Sequence, residues 1–201
     1  MHVIRFGGER PGPGWHRHGT TAKTIPLHVS GRVVRFLLLK QRWLHKETGR
    51  TMHDRPFYDA PGFQFGFDIV VVGLAAWLVG STGLHTVSWP WDDDGPSSRA
   101  VQRWAARLAG VADDWLQTSR ARILDYVAPR PMEDLLPAGG IPPPEGARLR
   151  SSQGDVQQAW PLRDVVWLHE KAAQALSIPI RKLLGVARWR CPKNPASNDA
   201  S

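Results

Sequence analysis

The 201-residue chain has few of the residues on which cross-linking and thiolate chemistry depend. It contains a single cysteine, Cys191, so an intrachain disulfide and a zinc site built from several thiolates are both excluded. A chain with one cysteine is typical of a reducing compartment, and we expect it to be cytoplasmic. Residues 1–14 contain no apolar stretch of the kind that forms the core of a secretory signal peptide.

Motifs of common enzyme classes are also missing. The sequence has no Walker phosphate loop, and no G-x-G-x-x-G motif follows a predicted strand. Glu170 follows His169, but the second histidine of a zinc-protease helix is missing. The eight histidines are scattered along the chain. We therefore predict a protein that is not an enzyme, with no catalytic residues and no cofactor.

Acidic residues are outnumbered by basic ones. The chain has 26 Lys and Arg against 18 Asp and Glu, which gives a formal net charge of +8. Such a charge attracts polyanions, of which nucleic acid is the commonest in a cell, although the same charge also serves simple solubility. The hydrophobic fraction of 42% is ordinary for a globular chain of one or two small domains.

The pattern of turns and apolar residues predicts an α+β fold. A small N-terminal antiparallel β-ribbon is expected, with a hairpin of strands at 23–29 and 32–43 and a third short strand at 50–53. The Gly- and Pro-rich residues 1–14 are expected to be a mobile start. A mainly helical helix-turn-helix domain follows. Helices are predicted at 67–79, 96–109, 111–127, 162–176 and 180–189.

Changes in composition divide the chain into five predicted units. They are a degenerate zinc-ribbon-like domain at 1–66, a helix-turn-helix domain at 67–128, a Pro-rich linker at 129–161, a C-terminal helical hairpin at 162–191 and a disordered tail at 192–201. The C-terminal hairpin fits either a second helix-turn-helix or a helix pair packed on the first three helices. The uncharged run 69–84 is shorter than the ~20 residues that span a membrane, which favours a buried helix.

The segment 95–108 has the most informative functional pattern. Asp94 can cap a helix here, and Pro96 suits a first helical position because proline has no N–H to lose. One face of this helix is apolar, with Val101, Trp104 and Leu108. The opposite face holds Ser98, Arg99, Gln102 and Arg103. Such side chains contact phosphates and base edges in DNA-recognition helices, although an ordinary amphipathic surface helix has the same periodicity.

The N-terminal part has the frame of a zinc ribbon without its cysteines. Residues 45–51 read HKETGRT, where zinc ribbons of transposases commonly read Cys-x-x-Cys-Gly-Arg-Thr, so His45 and Thr48 stand at the cysteine positions. The first knuckle would lie near residues 15–18. An apolar helix and the pattern Ser-x-Arg-x-Val-x-Arg-Trp follow. Residues 13–127 therefore resemble the N-terminal DNA-binding region of bacterial transposase-like proteins, a ribbon followed by a helix-turn-helix.

This resemblance implies non-catalytic binding of double-stranded DNA by the helix that starts at Pro96. The residues implied to contact DNA are Ser97, Ser98, Arg99, Gln102, Arg103 and Arg107 on the helix, and Arg32, Arg35, Lys40, Arg42 and Arg50 on the ribbon. No metal is predicted, because the knuckles lack thiolates and structural zinc sites made only of histidines are uncommon. A transposase catalytic domain is not expected after residue 127, where strand patterns for a two-metal carboxylate site are too few.

Three alternatives to duplex DNA binding stay open. The chain could be an adaptor subunit of a larger nucleoprotein or mobile-element complex, with the ribbon and the Trp89–Trp91 loop docked on a protein partner. It could be a small membrane-associated protein that uses residues 69–84. It could also bind RNA, because basic charge serves both nucleic acids and no RNA-binding motif is present.

Overall fold

A computed structural model describes residues 2–80, 84, 87–127 and 156–192. The protein has the predicted α+β fold, in which strands come first and helices follow. The strands are β1 (His2–Phe6), β2 (Trp15–Val29), β3 (Arg32–His45) and β4 (Thr51–His53). The described helices are α1 (Phe67–Leu78), α2 (Ser98–Ala109), α3 (Ala112–Val127), α4 (Val156–Leu176) and α5 (Ile180–Ala187). The predicted linker at 129–161 is wrong at its C-terminal end, because α4 begins at Val156 and Pro161 lies inside it. The rest of that linker and the predicted tail after residue 192 lie outside the described residues.

Strands β2 and β3 form the long hairpin that dominates the N-terminal half. Ser30 and Gly31 make its turn with φ angles of 49° and 77°, as a two-residue hairpin connection requires. Pairing continues from Val29 opposite Arg32 to Trp15 opposite His45. The predicted hairpin and its Ser-Gly turn are confirmed, but the strands are longer than expected because the polar residues before position 23 continue the pairing.

The expectation of a mobile N-terminus is wrong for β1. This strand lies parallel to β3, with His2 opposite Phe36 and Phe6 opposite Lys40. The abundant glycine and proline of residues 7–14 obscured the short apolar pattern that precedes them. Strand β4 pairs antiparallel with β3 and confirms the third short strand. The sheet is therefore mixed rather than purely antiparallel.

All five helices contribute to one large apolar core. Helix α1 is buried on nearly every side, as its sequence predicts, since every residue after Asp68 is uncharged. Residues of α4 and α5, among them Leu168 and Leu183, are fully buried in the same core. The C-terminal helix pair thus packs on α1–α3, the second of the two arrangements considered for it. A separate small core lies on the sheet around Ile25, Leu27 and Leu38.

The arrangement of α1 and α2 differs from the expected helix-turn-helix. That motif joins its helices by a turn of about three or four residues. Here residues 79–97 separate α1 from α2, whereas α2 and α3 are joined directly by Gly110 and Val111. Helix α2 is therefore not positioned by a short turn after α1. Its orientation is fixed by the loop at 61–65, against which it packs.

Candidate nucleic-acid interface

Helix α2 forms where its sequence pattern predicts it. Ser97, rather than Asp94, caps the helix, and its side-chain Oγ accepts a hydrogen bond from the Ala100 N–H at 3.4 Å. The apolar face is buried, and the Trp104 ring lies 5.8 Å from the ring of Phe65. The opposite face is therefore held towards solvent by tight packing behind it.

Within the described part of the chain, the solvent face of α2 carries positive charge that has no ion-pair partner. Arg99, Gln102 and Arg103 are exposed, and Ser98 is half-buried beside them. Helix α2 contains three arginines and no acidic residue. Both salt bridges found among the described residues belong to Asp59, so neither exposed arginine of α2 has an ion pair in that part of the chain. Like charges one turn apart repel each other, and an anionic partner would relieve that repulsion.

The Arg107 side chain, which was expected to contact DNA, instead binds the loop that precedes α1. Its Nη1 and Nη2 donate hydrogen bonds of 2.9 Å to the carbonyls of Gly62 and Pro61. Its guanidinium carbon lies 4.5 Å from the centroid of the Phe63 ring. Because these contacts fix the loop that supports α2, we remove Arg107 from the candidate interface.

Lys40 is buried, so we also exclude it from the candidate interface. Its Nζ lies 2.7 Å from Asp59 Oδ2, while Lys23 Nζ lies 2.5 Å from Oδ1 of the same carboxylate. Burial alone would raise the pKa of Asp59, but the hydrogen bonds and charges of the two lysines outweigh it and lower that pKa. Lys40 therefore joins the sheet to the loop after β4, a role that no local motif indicated.

Of the remaining ribbon arginines, three lie along β3, and Arg50 lies in the connection between β3 and β4. Arg32, Arg35 and Arg50 are exposed, and Arg42 is half-buried. A strand rises by about 3.3 Å per residue, which puts Arg32 and Arg42 about 33 Å apart. Arg35 lines a depression of about 250 Å³ together with Phe65 and with Asp94, which precedes α2 by four residues. Arg35 therefore lies near the segment that precedes α2. The other three arginines do not line this depression.

The two positions that resemble zinc knuckles meet at the open end of the hairpin. The rings of Trp15 and His45 lie 5.2 Å apart in an edge-to-face arrangement. Gly14 has a φ of +79°, and a Cβ at this position would lie only 2.6 Å from His45 Nε2. Among the described residues, no three His, Cys, Asp or Glu side chains are grouped so that they could hold a metal ion. The packed rings of Trp15 and His45 therefore lie where a zinc ribbon would have its metal-binding knuckles.

No family model, curated protein or solved structure matches this chain. The resemblance to transposase-like proteins therefore stays a prediction that depends on the residues quoted for it. A search of the described helices for a membrane-spanning segment found none that is both long and apolar enough.

Proposed function

We propose that this protein binds double-stranded DNA through the solvent face of α2 and catalyses no reaction. The exposed pair Arg99 and Arg103, one helical turn apart on a helix without acidic residues, carries the proposal. Both guanidinium groups suit phosphate oxygens, and Gln102 between them has the paired donor and acceptor that base edges need. The net charge of +8 supports the same assignment.

Neighbouring charges indicate how the duplex would lie. Arg35 on β3 lines a depression together with Asp94, so this carboxylate offsets the attraction of Arg35 for a phosphate. The exposed acidic residues 92–94 precede the helix and repel phosphates. We therefore expect the DNA backbone to pass closer to Arg103 than to residues 92–94. As part of the same proposal, the protein acts in the cytoplasm.

The test is a fluorescence-anisotropy titration of a labelled duplex at several salt concentrations. The variant Arg99→Ala/Arg103→Ala removes two charges from α2. Arg122→Ala/Lys182→Ala removes two exposed charges from α3 and α5 and serves as the matched control. We expect weaker binding for the α2 variant and near wild-type binding for the control.

Two results would contradict the proposal. If both variants weaken binding equally, net charge alone attracts DNA and α2 is not the interface. If the folded wild-type chain does not bind duplex DNA even at low salt, the proposal fails and the adaptor alternative gains support. An RNA duplex of the same sequence, titrated in parallel, tests whether the B-form major groove is required.

A further inference from the structure

A second basic region surrounds a cavity that is lined by β4 and by the loop that follows it. The cavity has a volume of about 390 Å³ and is bounded by β4, the loop at 54–61 and residues 190–191. Arg55 and Arg190 line it, together with the donors Thr51 and His53. Its volume lies within the range of about 300–1,000 Å³ that is usual for small-ligand sites.

Arg190 is held in place at this cavity. Its guanidinium carbon lies 4.5 Å from the centroid of the Phe57 ring, and its Nη1 donates a 3.0 Å hydrogen bond to the Arg55 carbonyl. A guanidinium fixed by stacking and one hydrogen bond keeps further N–H donors for a ligand. It also loses less side-chain freedom on binding than a mobile arginine would.

The charge around the cavity favours an anion. Among the described residues, Asp59 is the only acidic one that lines it, and this carboxylate is already bound to Lys23 and Lys40. Arg42 lies opposite His53 in the pairing of β3 and β4, and its buried Nε has no hydrogen-bond partner within the described part of the chain. Burial lowers the pKa of His53, and the charges of Lys40, Arg42 and Arg55 lower it further.

We propose that this cavity binds a phosphate monoester, with Arg55 and Arg190 as direct ligands and the Thr51 hydroxyl as a further donor. A phosphate dianion has three terminal oxygens, which match the paired N–H groups of two arginines. The group belongs either to a free nucleotide or to the 5′ end of a nucleic-acid strand. The proposal is independent of α2, because none of its residues lies on that helix.

Inorganic phosphate is the first probe, followed through the imidazole NMR signals of the full chain. Phosphate in the cavity adds negative charge beside His53, so we expect a saturable shift of its signals and a rise in the pKa of His53. In the variant Arg55→Gln/Arg190→Gln, phosphate should no longer cause a saturable shift of the His53 signals. Arg122→Gln/Lys182→Gln, on α3 and α5, is the matched control, and Arg99→Ala/Arg103→Ala should keep phosphate binding intact.

Further titrations distinguish a free nucleotide from a strand end, and two results would contradict the proposed phosphate site. Tighter binding of AMP than of phosphate would identify a free nucleotide, whereas preference for a 5′-phosphorylated over a 5′-hydroxyl strand would identify a strand end. No saturable effect of phosphate on His53, or wild-type binding by the double variant, would overturn the proposal. If the double variant does not fold, Arg55→Gln alone provides the test, because among the described residues the Arg55 side chain makes no hydrogen bond or ion pair on which folding would depend.

Discussion

Replacing Asp59 with alanine should strongly destabilise the protein, because it leaves a buried lysine without its counter-charge. Lys40 is only 8% exposed, and its Nζ lies 2.7 Å from the Asp59 carboxylate. Removing one partner of a buried ion pair costs about 3–5 kcal/mol. The Lys23 side chain is 33% exposed, so its own bond to Asp59 adds little to that cost.

The variant Lys40→Met should be milder, at about 1–2 kcal/mol, because Asp59 keeps Lys23 and the methionine fills much of the lysine stem. The double variant Asp59→Ala/Lys40→Met leaves no unpaired charge at position 40. We therefore expect it to be more stable than Asp59→Ala alone.

Urea unfolding followed by tryptophan fluorescence at pH 7 measures these differences. Asp92→Ala, which removes an exposed carboxylate, is the control and should change the unfolding free energy by less than about 0.5 kcal/mol. The reasoning is refuted if Asp59→Ala/Lys40→Met is as unstable as the sum of the two single variants, since the two side chains would then act independently.

Two further predictions concern Asp68 and Arg107. Burial raises the pKa of Asp68 from 3.8 to about 6. Between these values the folded chain keeps a proton that the unfolded chain has lost, so stability falls as pH rises through that window, by about 3 kcal/mol in all. Asp68→Asn should flatten the pH profile of unfolding, and an unchanged profile would assign the dependence to another group. Arg107→Ala should lower stability by about 1–3 kcal/mol through lost hydrogen bonds to Pro61 and Gly62, whereas Arg99→Ala should leave stability unchanged. Thermal unfolding of both arginine variants checks this contrast, and equal losses would contradict it.

Local sequence patterns were sufficient for the elements that depend on local rules. The Ser30–Gly31 turn follows from the glycine, which has no Cβ and so accepts a positive φ, and α2 follows from the spacing of Val101, Trp104 and Leu108. Helix α1 follows from the uncharged, mainly apolar run that begins after Asp68. In each case the signal lies within a few residues of the element itself.

Roles that depend on distant partners could not be predicted in the same way. Arg107 bonds to a loop 45 residues earlier in the chain, and no spacing rule connects the two. Lys40 did carry a usable signal, because it lies two residues after Leu38 and a strand places both on one face. Without the position of Asp59, that alternation could indicate burial but could not identify the counter-charge.

The salt dependence of duplex binding tests the central claim most directly. Each phosphate contact adds about 0.9 to the slope of log affinity against log salt. We predict that Arg99→Ala/Arg103→Ala lowers the slope by about 2 relative to wild type, while Arg122→Ala/Lys182→Ala leaves it unchanged. Equal slopes for the wild type and the α2 variant would contradict the assignment of α2 as the DNA-binding surface.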